Sequence, residues 1–198
     1  MRGRVKRPVS DQPLPSTAKL VFRGKLFDVY QWAQGLFDGT TVVFEKLKRP
    51  DTVVIIPITT DGRVVLVQQR QPGKKAYIGV ASGRLEEGET PQEAATREVI
   101  EETGYKPSKL SLWDSFQPVS KIEYAVFIFI AKNCRKISSP KPEAGEQIKI
   151  KLVSIEQFLG LVYRGFVSDE LRLKLIEETV SLIPCRRKVL LLKKKFLN

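Results

Sequence analysis

Glu98, Glu101 and Glu102 are the side chains in this sequence best placed to do chemistry. They lie in the run Arg97-Glu98-Val99-Ile100-Glu101-Glu102. On an α-helix, Glu98 and Glu102 are i,i+4 neighbours and Glu98 and Glu101 are i,i+3 neighbours, so all three share a face. Crowded carboxylates repel one another. A hard cation such as Mg²⁺ relieves that repulsion and takes carboxylate oxygens by preference. The bland reading of the same run is a solvated acidic helix face.

The helix that must carry them has clear local signals. Thr90 is a good N-cap, Pro91 suits the first helical position, and Glu93 completes a capping box. Gly104 falls where a glycine would end the helix. Ala94, Ala95, Val99 and Ile100 supply an apolar side, blurred by Thr96 and Thr103. Arg97 and Glu89 can pair and hold the preceding loop against the helix, a structural role rather than a chemical one.

Spacing adds specificity. Gly83, Glu89, Arg97-Glu98, Glu101-Glu102 and Gly104 recur at the intervals of the Nudix box, which the stretch Gly83 to Tyr105 resembles at every charged and glycine position. Seven fixed positions, each met about one time in fifteen by composition, give a chance of ~10⁻⁸ per start point. Tyr105 replaces the aliphatic residue more common in the family, and keeps an apolar body.

The resemblance implies an α/β/α Nudix sandwich with a mixed sheet. It implies cleavage of a nucleoside diphosphate linked to another moiety, with Mg²⁺ or Mn²⁺. By match to the box, Glu98 and Glu102 are the main metal ligands, Glu101 ligates or bridges through water, and the carbonyl of Ser82 is a further ligand. Gly83, Glu89, Arg97 and Gly104 are the structural positions of the motif.

Outside the box, Leu26 to Phe158 more weakly resembles the ADP-ribose pyrophosphatase branch. That branch is a homodimer whose swapped N-terminal sheet supplies aromatic residues to the adenine, and here Trp32 and Phe37 are the candidates. For Trp32, ordinary sheet packing is the alternative. Arg70 falls where the branch places a phosphate-binding arginine, and Arg49 is a second candidate; both can also be surface arginines beside turns. The general base of the branch is a loop glutamate before the last strand. Glu146 matches it first and Glu143 second, with Glu101 of the box as the fallback. One departure stands out. The approach to the box reads Gly79-Val80-Ala81-Ser82-Gly83 and lacks the acidic residue and proline usual in the branch. That change bears on the moiety accepted rather than on the metal.

Composition bounds the rest. The 198 residues make one domain, or one domain with a small appendage. There is no histidine, so a His-based triad and His-ligated zinc are excluded and carboxylates must do the acid–base work. Two cysteines, Cys134 and Cys185, are too few for a disulfide framework. With no secretory signal they suggest a cytoplasmic protein. No apolar run approaches a membrane span. The net charge is +12, but Arg2, Arg4, Lys6 and Arg7 at one end and six Lys/Arg after Cys185 carry ten of those charges. Solvated basic tails are the expectation, with nucleic-acid contact only through them.

The expected organisation is a flexible arm at 1–17, a small antiparallel β-sheet at 18–48, a Nudix domain at 49–185, and a basic tail at 186–198. In the small sheet, Asp38-Gly39 signals a hairpin. The sheet is too thin to stand alone and must pack on the main domain or on a second subunit. Thr52 to Thr59 reads as a strand buried on both faces. Strands follow at Arg63 to Arg70, near Tyr77 to Val80, at Leu110 to Phe116, Ile122 to Ala131 and Ile148 to Val153. A helix capped by Ser154 and Gln157 runs to about Leu161, and another from Ser168 to about Ile183.

These readings point to a Mg²⁺-dependent pyrophosphatase of nucleoside diphosphate sugars, ADP-ribose first. The alternatives are another Nudix substrate (GDP-mannose, a dinucleoside polyphosphate, an oxidised nucleotide, an RNA 5′ end) or a Nudix-fold sensor that binds a nucleotide without turnover.

Overall fold

A computed structural model of the chain describes residues 5–142, 145–165, 167 and 196. In chain order they form β1 (Lys19–Arg23), β2 (Asp28–Gly35), β3 (Thr41–Lys48), β4 (Thr52–Thr59), β5 (Val64–Arg70), β6 (Tyr77–Gly79), β7 (Ala81–Arg84), α1 (Pro91–Thr103), β8 (Tyr105–Lys106), β9 (Lys109–Phe116), β10 (Ile122–Glu123), β11 (Val126–Lys136), β12 (Gln147–Val153) and α2 (Ile155–Tyr163).

The main sheet is mixed. Its order is β12-β5-β4-β11-β8, with β6 on β5, β7 on β4 and β9 on β11. β4 and β11 are parallel, whereas β12 and β5 are antiparallel. Alternate residues of β4 explain its unbroken apolar run. Val53 and Ile55 join Phe127, Phe129 and the α1 residues Ala94, Ala95 and Val99. Val54, Ile56 and Ile58 join Ile128, Ile130 and the α2 residues Phe158, Leu159 and Val162. Each face of the sheet is thus covered by one helix, which is the α/β/α sandwich expected.

The small sheet has the order β1-β2-β3-β10. It is not purely antiparallel as expected, because β10 of the main domain adds to β3 in parallel. The strand expected from Ile122 to Ala131 is therefore two. At Tyr124–Ala125 the chain leaves β3 and takes up β4, and Asp51 Oδ1 accepts the Ala125 N–H at 2.8 Å across the change of partner. The strand expected near Tyr77 to Val80 is β6, which pairs with β5, and β7 follows it as a further strand on β4.

Described residues near each end of the chain are packed against the body. Arg7 bonds Asp51 through Nε and Nη2, at 2.8 and 3.0 Å, and Glu123 through Nη1 at 3.0 Å. Lys46 is wholly buried, and its ammonium donates to Ser10 Oγ and to Glu123 Oε2 at 2.9 and 2.8 Å. The described part of the arm is thus docked, because β3 and β10 bury charges that Arg7, Ser10 and Gln12 help to satisfy. Phe196 is likewise buried, edge-on to Trp113 and Phe158. The helix expected from Ser168 lies outside the described residues. Among the described residues no helix is long and apolar enough to cross a membrane.

Candidate active site

The site is built on α1. The capping box forms as its sequence implied: the Glu93 N–H donates to Thr90 Oγ1 at 3.3 Å, and the Thr90 N–H donates to Glu93 Oε2 at 2.9 Å. Gly104 ends the helix in the left-handed region at φ 74°, and a Cβ there would lie 2.2 Å from the Ser138 carbonyl oxygen. The buried side is Ala94, Ala95, Val99 and Thr103, not Ile100. Thr103 is tolerated because its hydroxyl donates to the Val99 carbonyl and accepts the Tyr105 N–H.

The stripe that runs through Glu98 and Glu102 beside these residues borders a cavity of about 370 Å³. Glu98, Glu101, Glu102 and Ser82 line it together with Glu146. Arg97 organises the carboxylates. Its Nε and Nη2 each donate to Glu89 at 2.9 Å, and Nη2 also reaches the Arg84 carbonyl at 3.0 Å. Nη1 donates to Glu98 and Glu101 at 2.8 and 3.2 Å. A single guanidinium fork therefore ties the loop to the helix and orients two of the three helix glutamates. These partners hold the Arg97 guanidinium more firmly protonated than usual, the Glu89 hydrogen bond first among them.

Glu102 is held differently. The Ser82 N–H and the Gln69 amide each donate to it at 2.9 Å. Burial outweighs these donors and pushes its carboxyl up to about 7, with Glu98 adding repulsion. Burial also raises Glu98, against the pull of Arg97. Glu146 accepts from the Gln71 amide, and the Tyr77 hydroxyl donates to Gln69.

Three residues that local pattern did not single out thus support the carboxylates: Gln69, Gln71 and Tyr77. Strand parity is the signal that finds them. Gln69 and Gln71 lie two apart and face the cavity. Arg70, between them, lines an adjoining depression with Gly73, Lys74 and Gly145, which shares Gln71 with the cavity. Arg70 therefore sits beside the carboxylate cavity rather than in its wall. Arg49 lies in an adjoining depression that shares Pro50, Leu85 and Glu86 with the cavity. Its guanidinium stacks 4.6 Å from the Tyr124 ring and bonds Thr52. Trp32 packs inside the small sheet, edge-on to Phe44, as its alternative reading held. Phe37 is fully exposed at the tip of the β2–β3 hairpin. Glu143 lies outside the described residues.

The donor set fits a hard divalent ion: three carboxylates of one helix face beside Ser82, with Glu98 and Glu102 raised by burial. As they stand, no three acidic side chains among the described residues converge on one point. Arg97, Gln69 and the Ser82 N–H occupy their oxygens instead.

The NUDIX domain family matches residues 48–170. The chain belongs to the Nudix family. It is a Nudix pyrophosphatase of the branch that the sequence outside the box resembles. The ADP-ribose pyrophosphatase of Bacillus subtilis is 30% identical over 152 residues, covering 75% of this chain and 82% of that one. The methanol dehydrogenase activator of Bacillus methanolicus is 30% identical over 118 residues, 59% of this chain and 64% of that one. Among solved structures, an ADP compounds hydrolase matches with a TM-score of 0.60 at 22% identity, covering 81% of this chain and 85% of that one, a likeness of fold. Nudix hydrolases in general use divalent metal ions, in keeping with the donor set.

Proposed function

We propose that this Nudix hydrolase cleaves the diphosphate of a nucleoside diphosphate sugar, with ADP-ribose the leading substrate and AMP and ribose 5-phosphate the products. The observation that carries the reading is that Glu98, Glu101, Glu102 and Glu146 line one cavity. Glu98 and Glu102 would be the main ligands for Mg²⁺, with Glu101 ligating or bridging through water and the Ser82 carbonyl a further ligand. When bound, such an ion would supply positive charge to the diphosphate and polarise its P–O bond. Arg97 keeps Glu98 and Glu101 oriented, and Gln69 keeps Glu102 oriented. Glu146, held by Gln71, takes the proton of the water that attacks phosphorus.

The N-terminal sheet favours a homodimer. It leaves Val21, Phe22, Phe37 and Val43 more than half exposed, an apolar surface of the kind that marks an interaction site. In such a dimer Phe37 is free to reach the base of the substrate, which Trp32 is not. Arg49 is the candidate contact in the depression beside the cavity. AMP release from ADP-ribose with Mg²⁺ tests the reading. It is to be lost on Glu146→Gln with metal binding intact; full turnover by that variant removes Glu146 as the base.

A further inference from the structure

Three cations line the carboxylate cavity among the described residues: Arg84, Arg97 and Lys141. Arg97 is spent on Glu89, Glu98, Glu101 and the Arg84 carbonyl. Arg70 lines the adjoining depression instead. A diphosphate entering beside five glutamates needs positive charge beyond what the carboxylates leave it, so the burden falls on the two side chains that remain. Neither Arg84 nor Lys141 makes an ion pair with a described residue.

Both are fixed at their backbones. Arg84 closes β7, pairs with Thr52, and holds the Arg97 fork through its carbonyl. Lys141 donates its N–H to the Glu101 carbonyl at 2.7 Å. That carbonyl belongs to the last turn of α1, where carbonyls lack partners within the helix. Ile137 and Ser138 donate to the Gly104 carbonyl in the same way, at 2.9 and 3.2 Å. The segment after β11 is thereby laid along the end of α1. The last turn of α1 has no basic residue of its own, so Lys141 is the cation delivered to its negative pole. A lysine that only balanced a helix dipole has no need to line the cavity; Lys141 does.

We propose that Arg84 and Lys141 are the two jaws that grip the substrate's diphosphate, one from the end of β7 and one from the segment after β11. The guanidinium offers a planar fork to one phosphate, and the ammonium a mobile point charge to the other. This rests on the functional reading given above.

The test is calorimetric binding of α,β-methylene-ADP, a diphosphate that is not hydrolysed, to Mg²⁺-loaded protein, with inorganic pyrophosphate as a second probe. Lys141→Ala and Arg84→Ala are each expected to weaken binding of both probes by about 10- to 100-fold, the loss of a charge-assisted hydrogen bond, with melting temperatures held. Lys141→Arg is expected to restore most of the affinity, and Arg70→Ala to change nothing. A dipole-balancing role lowers the melting temperature of Lys141→Ala and leaves affinity alone; affinity within twofold of wild type in both alanine variants overturns the proposal. If the wild type binds pyrophosphate but not the nucleotide, and the variants lose it, the jaws stand and the nucleoside reading falls. If the wild type binds neither probe, both fall.

Discussion

A Cβ on Gly83 would lie 1.8 Å from Glu98 Oε1. The glycine is the space that the carboxylate occupies. Gly83→Ala therefore must push Glu98 off the cavity wall while leaving its chemistry intact. The expected result is a divalent-ion affinity at least tenfold weaker and activity reduced on the order of 100-fold, for a stability cost of about 1–3 kcal/mol, the range of an overpacked site. Metal titration beside chemical denaturation checks it. Unchanged metal affinity means that Glu98 is not a ligand.

Glu102 gives a pH signature. Its folded-state carboxyl is pushed up to about 7 by burial, above an unfolded value near 4.5. The neutral form is thus favoured in the metal-free fold. That contribution to stability is fully present below about pH 4.5 and is lost as pH rises through 7. Metal-free wild type should lose stability over this window relative to Glu102→Gln, which does not titrate. Divalent-ion affinity should move the other way, rising about tenfold per pH unit up to 7 and then levelling as the proton to be displaced disappears. A flat affinity profile from pH 5 to 8 contradicts the assignment.

Arg97→Lys keeps the charge but loses the fork. One ammonium cannot bond Glu89 twice, Glu98, Glu101 and a carbonyl together. The guanidinium is a quarter exposed, which discounts the full cost of an uncompensated buried pair. A loss of about 2 kcal/mol is expected, with a larger proportional loss in metal affinity. A variant as stable as wild type, with wild-type metal binding, shows that the fork positions nothing.

Lys46 and Glu123 form the second charge network. Lys46 is wholly buried, and Glu123 is held below its usual range by Lys46 and Arg7 despite burial. Glu123→Leu leaves the ammonium unpaired and should cost about 3–5 kcal/mol. Adding Lys46→Met should recover most of that. Equilibrium denaturation of the three variants reads the coupling, and strict additivity refutes it.

Much of this was legible locally. The Thr90–Glu93 and Ser154–Gln157 capping boxes, the two-faced apolar β4 and the Asp38-Gly39 hairpin are written within a few residues of one another, and each formed. The box glutamates share a cavity because helix periodicity puts them there. Long-range pairing was not legible. Arg7 finds Asp51 and Glu123 far along the chain, and the break at Tyr124–Ala125 reflects a change of sheet that no local pattern marks. Strand parity was only partly legible: a shift of one residue reverses the face, so Gln69 lines the cavity and Arg70 the depression beside it.

The most direct test of the whole is hydrolysis of a nucleotide panel with Mg²⁺, wild type beside Glu102→Gln, products resolved by chromatography. The expected result is metal-dependent AMP release from ADP-ribose by the wild type and its loss, at least 1,000-fold on the order of a removed principal ligand's contribution, in a variant that still folds. Equal turnover by Glu102→Gln, or no turnover of any diphosphate in the panel by the wild type, contradicts it.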